Sequence, residues 1–169
     1  ARGLAKRGHE ITVLALCPAE AASDTTADGV RILRIPVANI YWNLDVATKP
    51  DWVKRLWHAV DIYNAPMGRK VEAIIRDLAP DLVCAHNLPG FSVAAHAAAH
   101  RQQVPLVQVL HDYYFICPRS TCYRNDHPCT TQCADCRLAR WLHRRLSTHV
   151  SAVVGVSGFV LNRVMQRGM

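Results

Sequence analysis

The chain has 169 residues, of which 50% are hydrophobic and 20% are charged, and this is the composition of an ordinary globular domain. Its formal net charge of +7 is typical of a protein that binds an anionic partner, although a merely solvated basic surface would give the same balance. The first ten residues lack the apolar core of a signal peptide, and the apolar runs near 88–99 and 151–161 are shorter than the roughly 20 residues that span a bilayer. Composition therefore argues against a disordered or membrane-spanning chain.

Apolar runs alternate with helical patterns along the chain. A basic turn before Gly8 ends a first helix, and strands are predicted at 11–16, 29–35, 81–85, 105–110 and 151–156. Further helices are predicted at 51–64, 66–78, 90–101 and 137–149 and after Ser157, while 17–28, 36–50 and 111–134 are predicted as loops. Strands that alternate with helices imply βαβ crossovers. The predicted fold class is therefore α/β, a doubly wound, mainly parallel, Rossmann-like sheet with helices on both faces.

One such domain is expected over residues 1–169, with the cysteine-rich stretch 111–136 as a loop insertion within it. A doubly wound domain normally opens on a strand and a phosphate-binding turn, whereas this chain begins and stops within helices. We therefore expect a fragment of a longer protein that lacks its first strand.

Polar side chains follow three of the predicted strands, at the edge of a parallel sheet where ligands bind. They are His86 and Asn87, then His111, Asp112 and Tyr113, and finally Ser157. Imidazole titrates near neutral pH, so His111 is the candidate general base, with Asp112 either orienting it or accepting from a sugar hydroxyl. Alternatively, the histidines only bracket neighbouring loops, and Ser157 only caps the last helix.

Two other features have mainly structural interpretations. His96 and His100 are four residues apart on a predicted helix, a spacing that suits a metal, but no third ligand is apparent and both are predicted on the helix surface. The helix at 137–149 is amphipathic. Its apolar face is predicted to pack on the sheet, with Arg140, Arg144 and Arg145 off that face; alternatively, this basic surface contacts anionic lipid.

Five of the seven cysteines lie in the 111–136 loop, and Cys133 and Cys136 form a C-x2-C pair. Such a pair clasps Zn²⁺ from a tight turn, so a structural zinc site is predicted at Cys117, Cys129 and this pair, with Cys122 free. An iron–sulfur cluster, two disulfides or unligated thiols are the alternatives. An odd cysteine count without a secreted-type framework predicts a cytoplasmic location.

Five stretches in order resemble the N-terminal domain of family 4 glycosyltransferases: LAKRGHEITVLAL, PDLVCAHN, VPLVQVLHDYYFICPR, the cysteine loop and VVGVSGFVLNRVMQRG. These enzymes are retaining, use nucleotide-sugars and have the two-domain GT-B architecture. The resemblance implies that this domain binds the acceptor, that His111 lies near the transferred sugar, and that Asp112, Ser157 and Arg119 contact substrate. It also implies that the glycine-rich opening strand and the C-terminal donor domain are missing, so the 169 residues should be inactive alone.

The expected function is thus the acceptor half of an enzyme that moves a sugar to a glycan or lipid-linked acceptor in cell-surface polysaccharide or glycolipid synthesis. No cofactor is expected for catalysis; the nucleotide-sugar is a substrate and zinc is structural. Expected partners are the C-terminal domain and, at the inner face of the membrane, anionic lipid. The alternative is a metal-stabilised, non-catalytic binding module with a basic surface. Nucleic acid is disfavoured as its partner, because the basic residues are dispersed without interleaved aromatics.

Overall fold

The computed structural model describes residues 1–167. The strands there are β1 (Ile11–Cys17), β2 (Ser23–Ala27), β3 (Val30–Pro36), β4 (Val83–Ala85), β5 (Leu106–Leu110), β6 (Tyr123–Arg124), β7 (His127–Pro128) and β8 (Ala152–Gly155). The α-helices are α1 (Arg2–Ala5), α2 (Asp51–Val60), α3 (Ala65–Leu78), α4 (Ala94–Arg101), α5 (Ala134–Ala139), α6 (Trp141–Leu146) and α7 (Gly158–Met165). Short 3-10 turns occur at Ala19–Ala21, Asn43–Thr48 and Ser147–His149.

The strands associate into two three-stranded sheets and one short hairpin, β6–β7. The first sheet has the order β1-β3-β2, with β1 and β3 parallel and β2 antiparallel. The second has the order β4-β5-β8 and is fully parallel. The mainly parallel α/β fold is thus confirmed. Within residues 1–167, however, no strand of one sheet is hydrogen-bonded to a strand of the other, so the predicted single sheet is divided in two. Strand β1 consequently lies at the edge of its sheet and is half-buried.

The prediction of a loop over residues 17–28 is wrong, because Ser23–Ala27 of this stretch form β2. That strand carries polar, mostly exposed side chains and so lacks the apolar alternation by which strands are recognised. Asp28 and Gly29 connect it to β3, and both have positive φ, 53° and 75°, as a tight hairpin turn requires. The loop prediction at 111–134 likewise missed the two-residue strands β6 and β7.

Helix α3 begins within one residue of its predicted start. Asn64 caps it, since its side-chain oxygen accepts a hydrogen bond from the Met67 amide at 3.1 Å. The helix packs closely on α4 at Gly68, where an added Cβ would lie only 2.9 Å from the Ala94 Cβ. This close approach joins α3 to the first residue of α4.

Helix α4 is shorter than predicted, because residues 90–93 form a turn. The Gly90 amide donates a hydrogen bond to the Asp61 carboxylate at 2.9 Å, and Ser92 has a positive φ of 57°. The positive φ of Ser92 is incompatible with a right-handed helix that runs through residues 90–93. The turn instead holds the segment after β4 against the end of α2.

The prediction of one continuous helix over residues 137–149 is also wrong, because the helix is interrupted at Arg140. This residue ends α5 and precedes α6 with a non-helical φ of −111°, and only 3% of it is exposed. Leu138 and Trp141 belong to the apolar face that was predicted to pack on the sheet, but they are 81% and 55% exposed. The Arg140 guanidinium lies 3.9 Å from the centre of the Tyr114 ring, so a buried cation–π contact joins the apolar contacts that Leu142 and Leu146 make with the core.

Candidate active site

Two histidines meet where β4 and β5 end. His86 directly follows β4, His111 directly follows β5, and the two strands are parallel neighbours. Nδ1 of His86 lies 2.9 Å from Nε2 of His111, and the ring centroids are 5.2 Å apart. At this distance the N–H of one imidazole donates a hydrogen bond to the unprotonated nitrogen of the other, so the two rings form one hydrogen-bonded unit.

The His86 side of the pair is held by its surroundings. The buried Gln108 amide donates a hydrogen bond to the His86 carbonyl oxygen at 3.0 Å, and Nε2 of the His86 ring lies 3.6 Å from Sγ of Cys84. In contrast, the hydrogen bonds of the His111 ring within residues 1–167 involve Nε2 alone. The Nδ1 atom of His111 is therefore the atom that is available to a ligand.

Protonation of His86 is disfavoured by its surroundings. Desolvation, reinforced by the adjacent His111 ring and by the N-terminal amino group, lowers the pKa of His86 below its ordinary value. His86 is therefore favoured in its neutral form near pH 7. A neutral imidazole both donates and accepts one hydrogen bond, so His86 can fix the orientation of the His111 ring.

The histidine pair lies in a recess of about 250 Å³ that is open to solvent, which we call the histidine recess. Asn87 and Asp112 are also part of its wall. Oδ1 of Asp112 accepts a hydrogen bond from the Tyr114 amide at 2.7 Å, which shapes the turn after β5. The structure thus brings four of the predicted substrate-binding residues to one place.

The other three predicted substrate-binding residues are not in the wall of this recess. Ser157 caps α7, where its hydroxyl accepts the Val160 amide at 3.2 Å. Tyr113 is half-buried in the turn, and Arg119 is exposed in the loop beyond it. Their roles toward a substrate remain predictions.

A buried polar cluster that was not predicted from the sequence lies behind the recess. Asp61, just after α2, is fully buried, and its carboxylate accepts hydrogen bonds from the Gly90 amide at 2.9 Å and from the Tyr114 hydroxyl. Gly90 belongs to the segment after His86, and Tyr114 belongs to the segment after His111. One carboxylate therefore ties together the two segments that form the histidine recess.

This cluster extends to two further buried side chains. Arg140, which stacks on Tyr114, donates a hydrogen bond to Nε2 of His143 at 3.1 Å. Burial raises the pKa of Asp61 to about 7, although the hydrogen bonds from Tyr114 and Gly90 and the charge of Arg140 oppose the shift. Near neutral pH the Asp61 carboxyl is consequently divided between its protonated and charged forms.

The prediction for His96 is wrong, because the side chain is fully buried and not on the helix surface. Its Nε2 atom lies 2.8 Å from Oε1 of Gln108, and its ring stacks on Phe115 with centroids 5.6 Å apart. Burial lowers the pKa of His96 to about 4, so it is neutral. His96 thus orients Gln108, which in turn holds the His86 backbone. His100 is exposed, as predicted, and stacks on His149.

The five loop cysteines line a second recess of about 220 Å³, which we call the thiol recess. All are free thiols. A hydrogen bond between the thiols lowers the pKa of Cys117 and raises that of Cys122. In the part of the chain that the structure describes, no three or more His, Cys, Asp or Glu side chains are arranged to hold a metal ion. The zinc site at Cys117, Cys129, Cys133 and Cys136 therefore stays a prediction.

Comparison with known proteins places the chain in a family. It matches the glycosyl transferase 4-like domain over residues 1–169. It is also 30% identical over 168 residues to an "uncharacterized 42.6 kDa protein in cps region" of Klebsiella pneumoniae. That alignment covers 99% of this chain and 45% of the relative, so the chain spans less than half of the relative's length.

The fold defines the class as a Rossmann-like α/β domain, with an open recess at the carboxyl ends of two parallel strands. The chain belongs to the glycosyl transferase 4-like domain family. The resemblance noted in the sequence is thereby confirmed. Among residues 1–167, none of the helices has the length and apolarity needed to cross a membrane.

Proposed function

We propose that this domain is the acceptor-binding half of a retaining glycosyltransferase, which moves a sugar from a nucleotide-sugar to a glycan or a lipid-linked acceptor. The observation that carries the proposal is the histidine pair, which faces an open recess at the strand ends of a family member. The occurrence of a relative in a cps region supports an acceptor in polysaccharide synthesis.

In this proposal His111 contacts the reacting sugar through Nδ1. His86 holds the other nitrogen of the ring at 2.9 Å, so the tautomer of His111 is set by its neighbour. Asn87 and the free oxygen of Asp112 supply a donor and an acceptor for sugar hydroxyls at the recess wall. The acceptor and the sugar are thereby oriented before transfer, which contributes to catalysis by positioning.

The test uses the full-length protein with a panel of UDP-, GDP- and TDP-linked sugars and a lipid extract as acceptor source. Release of nucleoside diphosphate, and label transfer from one of these donors, are the expected results. Absence of both release and saturable binding for every donor would contradict the proposal. A hydrolysis-only result, without label on any acceptor, would contradict the assignment of an acceptor half.

The same protein is proposed to act at the cytoplasmic surface of a membrane. The exposed Leu138 and Trp141 lie beside Arg144 and Arg145, an apolar and basic combination that suits an anionic bilayer surface. Sedimentation with phosphatidylglycerol vesicles, but not with phosphatidylcholine vesicles, is expected. Equal sedimentation of an Arg144→Glu/Arg145→Glu variant would remove this face from the contact.

A further inference from the structure

Gln108 in β5 is a buried side chain in the wall of the histidine recess, with only 1% of its surface exposed. Its amide nitrogen donates two hydrogen bonds, to the His86 carbonyl at 3.0 Å and to the Val109 carbonyl at 2.9 Å. Its amide oxygen lies 2.8 Å from Nε2 of His96. Both ends of the amide are therefore engaged by protein atoms, and the group is held in one orientation.

The hydrogen bond to Val109 takes the place of a main-chain bond that β4 ends too early to make. The Val83 amide donates to the Pro105 carbonyl at 2.9 Å, and the carbonyls on one side of a strand recur at every second residue. The Val109 carbonyl therefore also points toward β4, where the same offset would make the Asn87 amide its donor. Strand β4 ends at Ala85, and the Gln108 side chain donates to the Val109 carbonyl instead.

This replacement allows the chain to leave the sheet after β4 without losing its attachment to β5. Asn87 is outside the ladder and forms part of the wall of the histidine recess. His86 is also outside the ladder, but its carbonyl is held by the second hydrogen bond from Gln108. The residue whose ring meets His111 at 2.9 Å is thereby fixed to the strand that precedes His111.

His96 determines which way the Gln108 amide faces. The two carbonyls need a donor, so the nitrogen of the amide faces them and its oxygen faces α4, where Nε2 of His96 donates to it. The His96 ring is fully buried and stacks on Phe115, with centroids 5.6 Å apart. Phe115 belongs to the turn that begins at His111. His96 and Gln108 together therefore contact the segments of both recess histidines.

From this network we propose that Gln108 is a positioning residue for the histidine pair, and that His96 acts through it by fixing the orientation of its amide. Because protein atoms engage the amide at both ends, Gln108 acts on a sugar only through His86 and His111. Its effect on transfer rests on the proposed function, whereas its effect on the two rings requires no reaction. Loss of the amide frees the His86 carbonyl and weakens the bond between Nδ1 of His86 and Nε2 of His111.

The test compares Gln108→Met with Gln132→Met in the full-length protein. Both variants replace a glutamine by an unbranched apolar side chain, and both remove a hydrogen bond to a main-chain carbonyl, since Gln132 donates to the Ile116 carbonyl at 2.9 Å. NMR of isotope-labelled histidine measures the tautomers and the pH titration of His86 and His111. In Gln108→Met we expect each ring to become a mixture of tautomers. We also expect kcat to fall about tenfold or more, with KM changed by less than about threefold. Gln132→Met should match the wild type in both measurements.

A second pair of variants tests the role of His96 and does not require Gln108→Met to fold. His96→Gln keeps an N–H donor for the amide oxygen of Gln108, whereas His96→Leu has no donor. The ring spectra of His96→Gln should resemble those of the wild type. Those of His96→Leu should show the mixed tautomers expected for Gln108→Met.

Unchanged spectra of His86 and His111 in both Gln108→Met and His96→Leu would overturn the inference. Equal spectral changes in Gln108→Met and Gln132→Met would also overturn it, because they would show a general loosening of the fold. Failure of the proposed function gives a different result. If the wild type transfers no sugar, or if altered spectra leave kcat unchanged, the proposed role of the pair in transfer fails while the spectra still decide the role of Gln108.

Discussion

The front and back halves of the segment 111–136 are held in different ways. The front, 111–116, is attached to the rest of the fold: Tyr114 is hydrogen-bonded to Asp61 and its ring is covered by Arg140. The back, 117–136, is largely exposed beyond Cys122, and there Arg163 donates a hydrogen bond to the Cys129 carbonyl and Arg167 donates one to the Thr130 carbonyl. The comparison shows that the turn after β5 is fixed by buried contacts with the core, while the adjoining insertion is attached to α7 through hydrogen bonds to its backbone carbonyls.

The largest expected effect comes from His111→Ala in the full-length protein. Losing the imidazole that contacts and orients the reacting sugar should lower the transfer rate by about 10²-fold or more, since a small misplacement of reacting groups has a cost of that order. Because His111 is exposed, the free energy of unfolding should change by no more than about 0.5 kcal/mol. The control is His127→Ala, an exposed histidine of the back half, which should transfer at the wild-type rate.

Tyr114→Phe tests the attachment of the front half. It removes the hydroxyl that donates to Asp61 and leaves a buried carboxylate oxygen without that partner. We expect a loss of about 1–3 kcal/mol in the free energy of unfolding, measured by urea denaturation. Tyr113→Phe in the same turn should cost less than about 0.5 kcal/mol. Equal costs for the two variants would mean that the Asp61 contact does not anchor the front half.

The free energy of unfolding should depend on pH partly because of the buried Asp61 carboxyl. Its pKa is raised from 3.8 to about 7 by burial, so its stabilising contribution is complete below about pH 4 and is lost as the pH rises toward 7. His96 has a lowered pKa and acts in the opposite direction, losing stability as the pH falls below 6.5.

Comparison with Asp61→Asn separates the effect of Asp61 on the pH dependence of stability from that of His96, since His96 is present in both proteins. The stability of the wild type relative to Asp61→Asn should fall between pH 4 and pH 7 and be constant above pH 8. Urea denaturation at pH 4.5, 6, 7 and 8 measures this difference. A difference that rises with pH over that interval would show that the buried carboxyl is held in its charged form.

The smallest effect is expected outside both halves, where Arg101 pairs with Glu72. Their closest atoms are 2.6 Å apart, but the arginine side chain is 44% exposed. Arg101→Ala should cost about 0.2–1 kcal/mol, as solvent-exposed ion pairs do, and less in 1 M salt. Arg101→Ala is the reference for Tyr114→Phe. A larger loss in the free energy of unfolding for Arg101→Ala than for Tyr114→Phe would contradict the view that the Asp61 contact anchors the front half.

The sequence predicted what depends on local pattern. Apolar strands followed by His86 and His111 were identified, and their meeting follows because neighbouring parallel strands end at one edge. The contact between Nδ1 and Nε2 depends on side-chain orientation and was not predictable from spacing. The polar strand β2 was missed because it has no apolar alternation, although the following Asp28–Gly29 pair is a hairpin signal.

The buried cluster behind the recess was missed for a different reason. Asp61 follows an amphipathic helix with nothing in its neighbourhood to indicate burial, and its partners come from two distant segments. Tyr114 could have indicated the cluster, because a buried tyrosine needs a hydrogen-bond partner for its hydroxyl and Tyr114 lies within the apolar run YYFIC. Arg140 interrupts a helix without glycine or proline, because tertiary contacts override local propensity.

The central claim is that His86 and His111 act as one unit, and a double-mutant cycle on transfer by the full-length protein tests it most directly. The variants are His86→Ala, His111→Ala and the two combined, compared by kcat/KM. We predict that the combined variant is no slower than His111→Ala, to within about threefold, because His86 acts through the His111 ring. Losses that multiply as independent factors would contradict the account.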